Sequence, residues 1–268
     1  MPTLEVNGTT LHYEDTGPGS TGETIAFSHG LLWSTELFRE QLRALAPRYR
    51  CIAWDHRGQG KSASDSRHTI GIELLWQDAV ALLGALSAGP VHLAGLSMGG
   101  FVAMRLAARN PELVKKLILL ETSAGPEPVA NVSRYRLLNS IFRVLGPRPI
   151  ARQLGPIMLG KTVLEDAARK DDVARFIRIM SARGDVWRAV NGVIDRAGIT
   201  HTELAKITAP TLVIVGSEDV ATPPDKAQEI VRAIPGASLA IVPRAGHSSP
   251  VEEPEAVTAA IRDFLERG

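Results

Sequence analysis

Cysteine is almost missing from this chain of 268 residues; Cys51 stands alone, so no internal disulfide can staple the fold. Its place in the apolar run Arg50 to Trp54 reads as that of a small core residue in a reducing compartment. No stretch approaches the ~18 consecutive apolar residues of a membrane span, and Met1 to Gly8 lacks the basic start and apolar middle of a secretory signal. A soluble, cytoplasmic protein without a membrane partner is expected. Charge of one sign is also lacking, since 30 Lys and Arg against 29 Asp and Glu leave +1. Nucleic acid is therefore not an expected partner, because a chain that neutralises many phosphates needs a basic excess. No G-x-G-x-x-G follows a strand-like run, Asp55 stands where a Walker loop ending at Gly60-Lys61-Ser62 needs its first glycine, and histidines at metal-ligand spacing are absent. No cofactor and no metal are expected.

What is present is an ordinary globular composition, 44% hydrophobic and 22% charged, in a length that suits one core with an inserted piece. Asn7-Gly8 predicts a tight hairpin between Thr3 to Val6 and Thr9 to Glu14. Short runs rich in Val, Ile and Leu then recur at Thr24 to Phe27, Arg50 to Trp54, Val91 to Ala94, Leu117 to Leu120, Thr211 to Val215 and Leu239 to Val242. They do not alternate, as expected of parallel strands covered on both faces. Helical spacing fills Glu36 to Ala46, Ile72 to Leu86, Gly99 to Ala108, Asp225 to Ala233 and Glu255 to Leu265, so strand and helix alternate as in a parallel sheet. Pro126 to Lys206 breaks that rhythm. It reads as several short helices cut at Gly146-Pro147, Gly155-Pro156, Gly160 and Gly184. Its 14 basic against 8 acidic residues mark it as cationic, either an attractor of anions or a set of solvated helix faces.

Gly95-Leu96-Ser97-Met98-Gly99-Gly100 follows one of these strands and opens a helix. In a G-x-S-x-G turn of this kind the small flanking residues let the backbone bend sharply and present the serine hydroxyl. A serine attacks near neutral pH when a base takes its proton, which calls for a histidine oriented by a carboxylate. Of seven histidines, His247 lies in Pro243-Arg244-Ala245-Gly246-His247, between the last strand and the last helix, at the sheet edge where open α/β sheets place their chemistry. Asp219 ends Gly216-Ser217-Glu218-Asp219 at the same edge and is the chosen carboxylate; Glu121, Glu218 and Asp225 are its rivals. His12, His68, His92 and His201 read as structural.

The order Ser97, Asp219, His247 is the serine, acid, histidine order of the α/β-hydrolase fold, and the chain resembles a serine hydrolase of that superfamily over nearly all of its length except the insertion. The resemblance implies an α/β fold with an eight-stranded, mostly parallel sheet flanked by helices. The core would be residues 1–121 and 207–268, with 122–206 as a helical cap or lid. It further implies that Ser28-His29-Gly30 is the oxyanion turn, so that the backbone N–H groups of Leu31 and Met98 face the developing oxyanion, and that His29 is structural. Asp55 to Ser62 resembles the family's D-x-R-G-x-G-x-S loop. Trp33, Phe142, Met158 and Trp187 are the expected substrate-contacting side chains. A serine at the elbow disfavours haloalkane dehalogenases and epoxide hydrolases, and Ser248 stands where many carbon–carbon bond hydrolases carry tryptophan. The chain looks most like small esterases, 3-oxoadipate enol-lactonases and cofactor-free haloperoxidases. A small-molecule ester or lactone, acidic if the cationic insertion steers it, is the expected partner of a monomer or small homo-oligomer. A small-molecule receptor with residual hydrolysis, a perhydrolase and a carbon–carbon bond hydrolase are the alternatives.

Overall fold

A computed structural model of the chain describes residues 2–146, 149–180 and 185–267, without the side chains of 151 and 152. Eight strands form one sheet: β1 (Thr3–Val6), β2 (Thr9–Asp15), β3 (Thr24–Ser28), β4 (Arg50–Trp54), β5 (Val91–Leu96), β6 (Val114–Leu120), β7 (Thr211–Gly216) and β8 (Ser238–Val242). Their spatial order is β1-β2-β4-β3-β5-β6-β7-β8. The β1–β2 and β2–β4 pairs are antiparallel and every later pair is parallel. Asn7 and Gly8 turn the hairpin with φ of 47° and 71°, the left-handed pair that a two-residue turn requires. β3, β5 and β7 are buried along their whole length, which is why their sequences do not alternate.

Helices α1 (Arg39–Leu45), α2 (Ile72–Ala85) and α3 (Met98–Arg109) precede β6. Between β6 and β7 come α4 (Val129–Leu145), α5 (Ala151–Met158), α6 (Lys161–Glu165), α7 (Lys170–Met180), α8 (Trp187–Ile194) and α9 (His201–Leu204). The chain closes with α10 (Pro224–Ala233), α11 (Ser249–Glu252) and α12 (Pro254–Glu266). The sheet separates two apolar layers. α2, α3 and α10 supply Leu75, Leu82, Val102, Leu106 and Ile230 to one, while α1 and α12 supply Leu42, Leu45, Val257 and Ile261 to the other. Each fully buried aliphatic side chain of this size contributes about 1.5–3 kcal/mol relative to exposure.

Two expectations for the insertion change. The segment opens with one long helix, α4, which ends where Gly146 takes a φ of 76°. Gly155-Pro156 does not interrupt α5, which carries Pro156 inside it. Proline removes one hydrogen bond from this short helix, and burial of Leu154 and Met158 holds it in place. Gly160 does separate α5 from α6, whereas Pro147 and Gly184 lie outside the described residues. β6 also begins before the expected Leu117, because its backbone already pairs with β5 from Val114 on; Lys116 within this stretch turns its ammonium onto the Phe264 and Leu265 carbonyls at the end of α12, 3.1 Å from each.

The loop after β4 is held by charge. Arg57, with 0% exposure, meets Asp78 on α2 and Asp65 at 2.9 Å. Asp78 also takes the Asn7 side-chain N–H at 2.7 Å, so this cluster ties the turn of the first hairpin to α2 and to the loop after β4. Cys51 is fully buried, and burial pushes its thiol up to about 12. Among the described residues no helix is long and apolar enough to cross a membrane.

Candidate active site

Ser97 sits between β5 and α3 with φ 52° and ψ −113°, a strained conformation for a residue with a side chain, costing about 1–3 kcal/mol. Its neighbours must be small because other backbone lies against them. A Cβ on Gly95 would run into the Gly99 carbonyl, one on Gly99 into the Ser28 carbonyl, and one on Gly100 into Thr122. The turn is pinned by Ser97 N–H donating to Leu120 O at 2.9 Å and by the Thr122 hydroxyl donating to Ser97 O at 2.9 Å.

The acid and base loops rise from adjacent strands and are zipped together. Ser217 N–H donates to Val242 O at 2.9 Å and Glu218 N–H to Ala245 O at 2.8 Å. That pairing brings Asp219 and His247 together. His247 Nδ1 lies 2.9 Å from Asp219 Oδ2, and its Nε2 lies 2.9 Å from Ser97 Oγ. Of the four acids weighed from sequence, Asp219 is the one that reaches the imidazole. Burial pushes its carboxyl up, but the His247 ring and the Thr222 N–H and hydroxyl outweigh this and hold it below the usual range. It therefore stays ionised and orients Nδ1–H, leaving Nε2 free to accept from serine.

Thr222, which the sequence reading did not single out, donates its hydroxyl to Asp219 Oδ2 at 2.8 Å and its N–H to Oδ1 at 3.0 Å; Ala221 N–H also donates to Oδ1, at 2.9 Å. An aspartate with threonine three residues on, in a proline-bounded loop, is a side-chain-to-backbone turn signal that would have found it. Glu121 occupies a different position. It is fully buried with φ 40°, and neither carboxyl oxygen has a well-formed hydrogen bond. Burial pushes its carboxyl well above the ordinary value; the nearby Ser249 hydroxyl opposes this, and the charges of Asp219 and Glu252 add to it.

The turn after β3 lies beside the serine. A Cβ on Gly30 would sit 3.5 Å from Ser97 Cβ, so the backbone of this turn passes close to the serine. Met98 is the first residue of α3, whose N–H has no acceptor within the helix. Leu32 takes φ 69° and donates its N–H to Gln59 Oε1 at 3.0 Å, while Gln59 Nε2 lies 3.5 Å from Met98 Sδ. Gln59 thus bridges the two turns. His29 donates from Nδ1 to Gly30 O at 2.7 Å and accepts His56 N–H on Nε2 at 3.0 Å. Both ring nitrogens are committed to backbone, and burial lowers its proton affinity, so it is a neutral brace of the turn.

A cavity of about 510 Å³ opens onto Ser97 and His247. Its wall carries Leu31, Phe101, Leu138, Phe142, Leu154, Ile157, Met158 and Val190, most of them from α4, α5 and α8. Phe142 and Met158, two of the side chains singled out from sequence, line the cavity. Trp33 and Trp187 do not. Trp33 is buried beside it, with its indole N–H on Ser248 Oγ at 3.2 Å and its ring edge against Phe176. Trp187 lies outside it, flanked by the Arg143 and Arg188 guanidiniums and His68. Trp187 thus packs among cationic neighbours, while Trp33 lines a separate cavity together with Arg39, Gln59 and Met180. Among the described residues the charged side chains on the wall are Glu127, Arg196, Lys226 and Glu229, paired as Arg196–Glu127 and Lys226–Glu229, each at 2.8 Å.

Sheet order, sharp turn and hydrogen-bonded Ser97–His247–Asp219 chain together define a hydrolase of the α/β type. The family model described as "Alpha/beta hydrolase family" matches residues 25–260, and the chain belongs to that family. It is similar to a thermophilic esterase from Thermogutta terrifontis, with TM-score 0.90 and 29% identity over 100% of this chain and 99% of that one. An enol-lactonase from Burkholderia xenovorans follows at TM-score 0.88 and 27% identity, covering 98% and 99% of the two chains. A relative in Cupriavidus pinatubonensis, a 2-hydroxy-6-oxononadienedioate/2-hydroxy-6-oxononatrienedioate hydrolase, is 28% identical over 95% of this chain and 90% of its own.

Proposed function

We propose that the chain is a serine hydrolase that cleaves a carboxylic ester or lactone through an acyl-enzyme. The observation that carries this reading is the continuous chain from Ser97 Oγ through His247 to Asp219, with 2.9 Å at each link, at the wall of an apolar cavity. Ser97 Oγ attacks the carbonyl carbon while His247 Nε2 takes its proton. The oxyanion forms between the N–H groups of Leu31 and Met98, donors of a kind worth about 2.7–4 kcal/mol each to the transition state. Collapse of the intermediate expels the alcohol, which leaves with the proton from Nε2. Water, deprotonated by the same nitrogen, then attacks the acyl carbon and releases the acid.

Residues 122–206 act in this reading as a cap, since α4, α5 and α8 supply most of the apolar wall. Among the described residues the wall charges cancel in pairs, Arg196 with Glu127 and Lys226 with Glu229. That balance favours a neutral ester or lactone with an apolar acyl group over an acidic one. The test is a screen of purified wild type and Ser97→Ala on short and long aryl esters, simple lactones and carboxylated enol-lactones. Hydrolysis of neutral esters that disappears in Ser97→Ala supports the reading; equal turnover by both proteins overturns it, and a preference for carboxylated lactones overturns its substrate class.

A further inference from the structure

We propose that the Gly160–Thr162 turn of the insertion is a positioning element for the Asp219–His247 pair, gripped from two sides by Glu252 and Glu218. This rests on the reading of Ser97 as nucleophile and extends it to residues that touch neither substrate nor the reacting atoms. Glu252, 2% exposed, accepts Gly246 N–H at 3.1 Å and Ser248 N–H at 2.9 Å on Oε1, from the two residues that flank His247. Its other oxygen accepts Gly160 N–H at 2.6 Å. Glu218, next to Asp219 in the chain, accepts Thr162 N–H at 2.8 Å and the Thr162 hydroxyl at 2.5 Å. The acid loop and the base loop therefore hang from the same three residues of the insertion.

Arg169 adds a second tie from the insertion, donating to the Glu252 carbonyl at 2.7 Å and to the Val251 carbonyl at 3.2 Å. The convergence is tight enough to exclude a methyl group. A Cβ on Gly160 would sit 2.8 Å from Glu218 Oε2, 2.8 Å from Gly246 N and 3.1 Å from Glu252 Oε2. Gly160 has φ −67° and ψ 152°, a conformation any residue adopts, so it is this crowding, not backbone strain, that requires glycine. A carboxylate is the one side chain that can serve the Glu252 position, because all three of its partners are donors; a glutamine would turn N–H₂ toward at least one N–H.

The experiment compares Gly160→Ala and Glu252→Gln with wild type, with Ser97→Ala and with Gly155→Ala, using an activated aryl ester and a fluorophosphonate that inactivates a reactive serine. Gly155 lies in the same insertion, where a Cβ meets Leu164 and Ile177 at an ordinary 3.5 and 3.8 Å. Gly160→Ala and Glu252→Gln are expected to lower both kcat and the fluorophosphonate inactivation rate by about 10- to 100-fold, as small misplacements of catalytic groups do. KM stays within about twofold, and Gly155→Ala matches wild type. Because both changes act on one contact, the double variant loses less than the product of the single losses. If Gly160→Ala fails to fold, Glu252→Gln decides alone. Rates per folded molecule unchanged in both variants, with Ser97→Ala inactive, overturn the positioning role and leave the nucleophile reading intact. Turnover and labelling that survive in Ser97→Ala overturn the reading beneath it.

Discussion

Thr222→Val tests how the buried Asp219 carboxylate is kept ionised. The carboxylate takes four donors: His247 Nδ1, the Thr222 hydroxyl, Thr222 N–H and Ala221 N–H. Valine keeps the branched shape at a position 8% exposed and removes one of them. A hydrogen bond to a charged group contributes about 1.5–3 kcal/mol, which in a chain of this size lowers the unfolding midpoint by roughly 3–12 °C. The sign with pH follows from linkage. Asp219 is held below its ordinary value of 3.8 in the fold, so its contribution is fully present well above that pH and is lost as pH falls through the folded value. The stability gap between variant and wild type is therefore constant above about pH 5 and closes below it. Denaturant or thermal unfolding measured from pH 7 downward reads this directly. kcat falls by no more than about tenfold, because the Asp219–His247 link survives, whereas replacing a carboxylate in this role by its amide costs about 10⁴. A variant as stable as wild type at pH 7, or a deficit of equal size on both sides of the carboxylate titration, refutes the reasoning.

Three further outcomes follow from buried groups. Arg57→Met leaves Asp78 unpaired in the interior and lowers unfolding free energy by about 3–5 kcal/mol in urea titrations. Glu121 is pushed well above its ordinary 4.5 in the fold, so its contribution is present below 4.5 and drains away as pH rises through the folded value. Glu121→Gln therefore gains midpoint temperature over wild type at pH 8 and not at pH 4. Cys51, with its thiol near 12, stays unreactive toward a disulfide reagent in the native protein and reacts once it is unfolded.

Most of this fold can be read from the one-dimensional pattern, for an identifiable reason. Strands covered on both faces must be largely apolar, so β3, β5 and β7 stand out as short runs that do not alternate, and Asn7-Gly8 announces its own hairpin. Ser97, Asp219 and His247 are legible because each follows a short strand-like run at the same end of the sheet. The insertion was harder to read. Its helices pack on one another and around a cavity, so the same apolar spacing serves both purposes, and Trp187 has the look of a pocket residue while its ring packs between the Arg143 and Arg188 guanidiniums. Pro156 looked like a break because local preference gives no weight to the packing of α5. Glu252 and Thr222 gave almost no signal: a glutamate in Val251-Glu252-Glu253-Pro254 reads as a solvated helix end, and only the folded chain brings Gly160, Gly246 and Ser248 around it.

The most direct test is rapid quenching of the protein with an activated aryl ester, followed by mass spectrometry of its peptides. A burst of phenol equal to the enzyme concentration is predicted, with the acyl group on the peptide bearing Ser97 and no burst in Ser97→Ala. An acyl group carried by a different residue, or steady turnover without a burst that persists when Ser97 is alanine, contradicts the account.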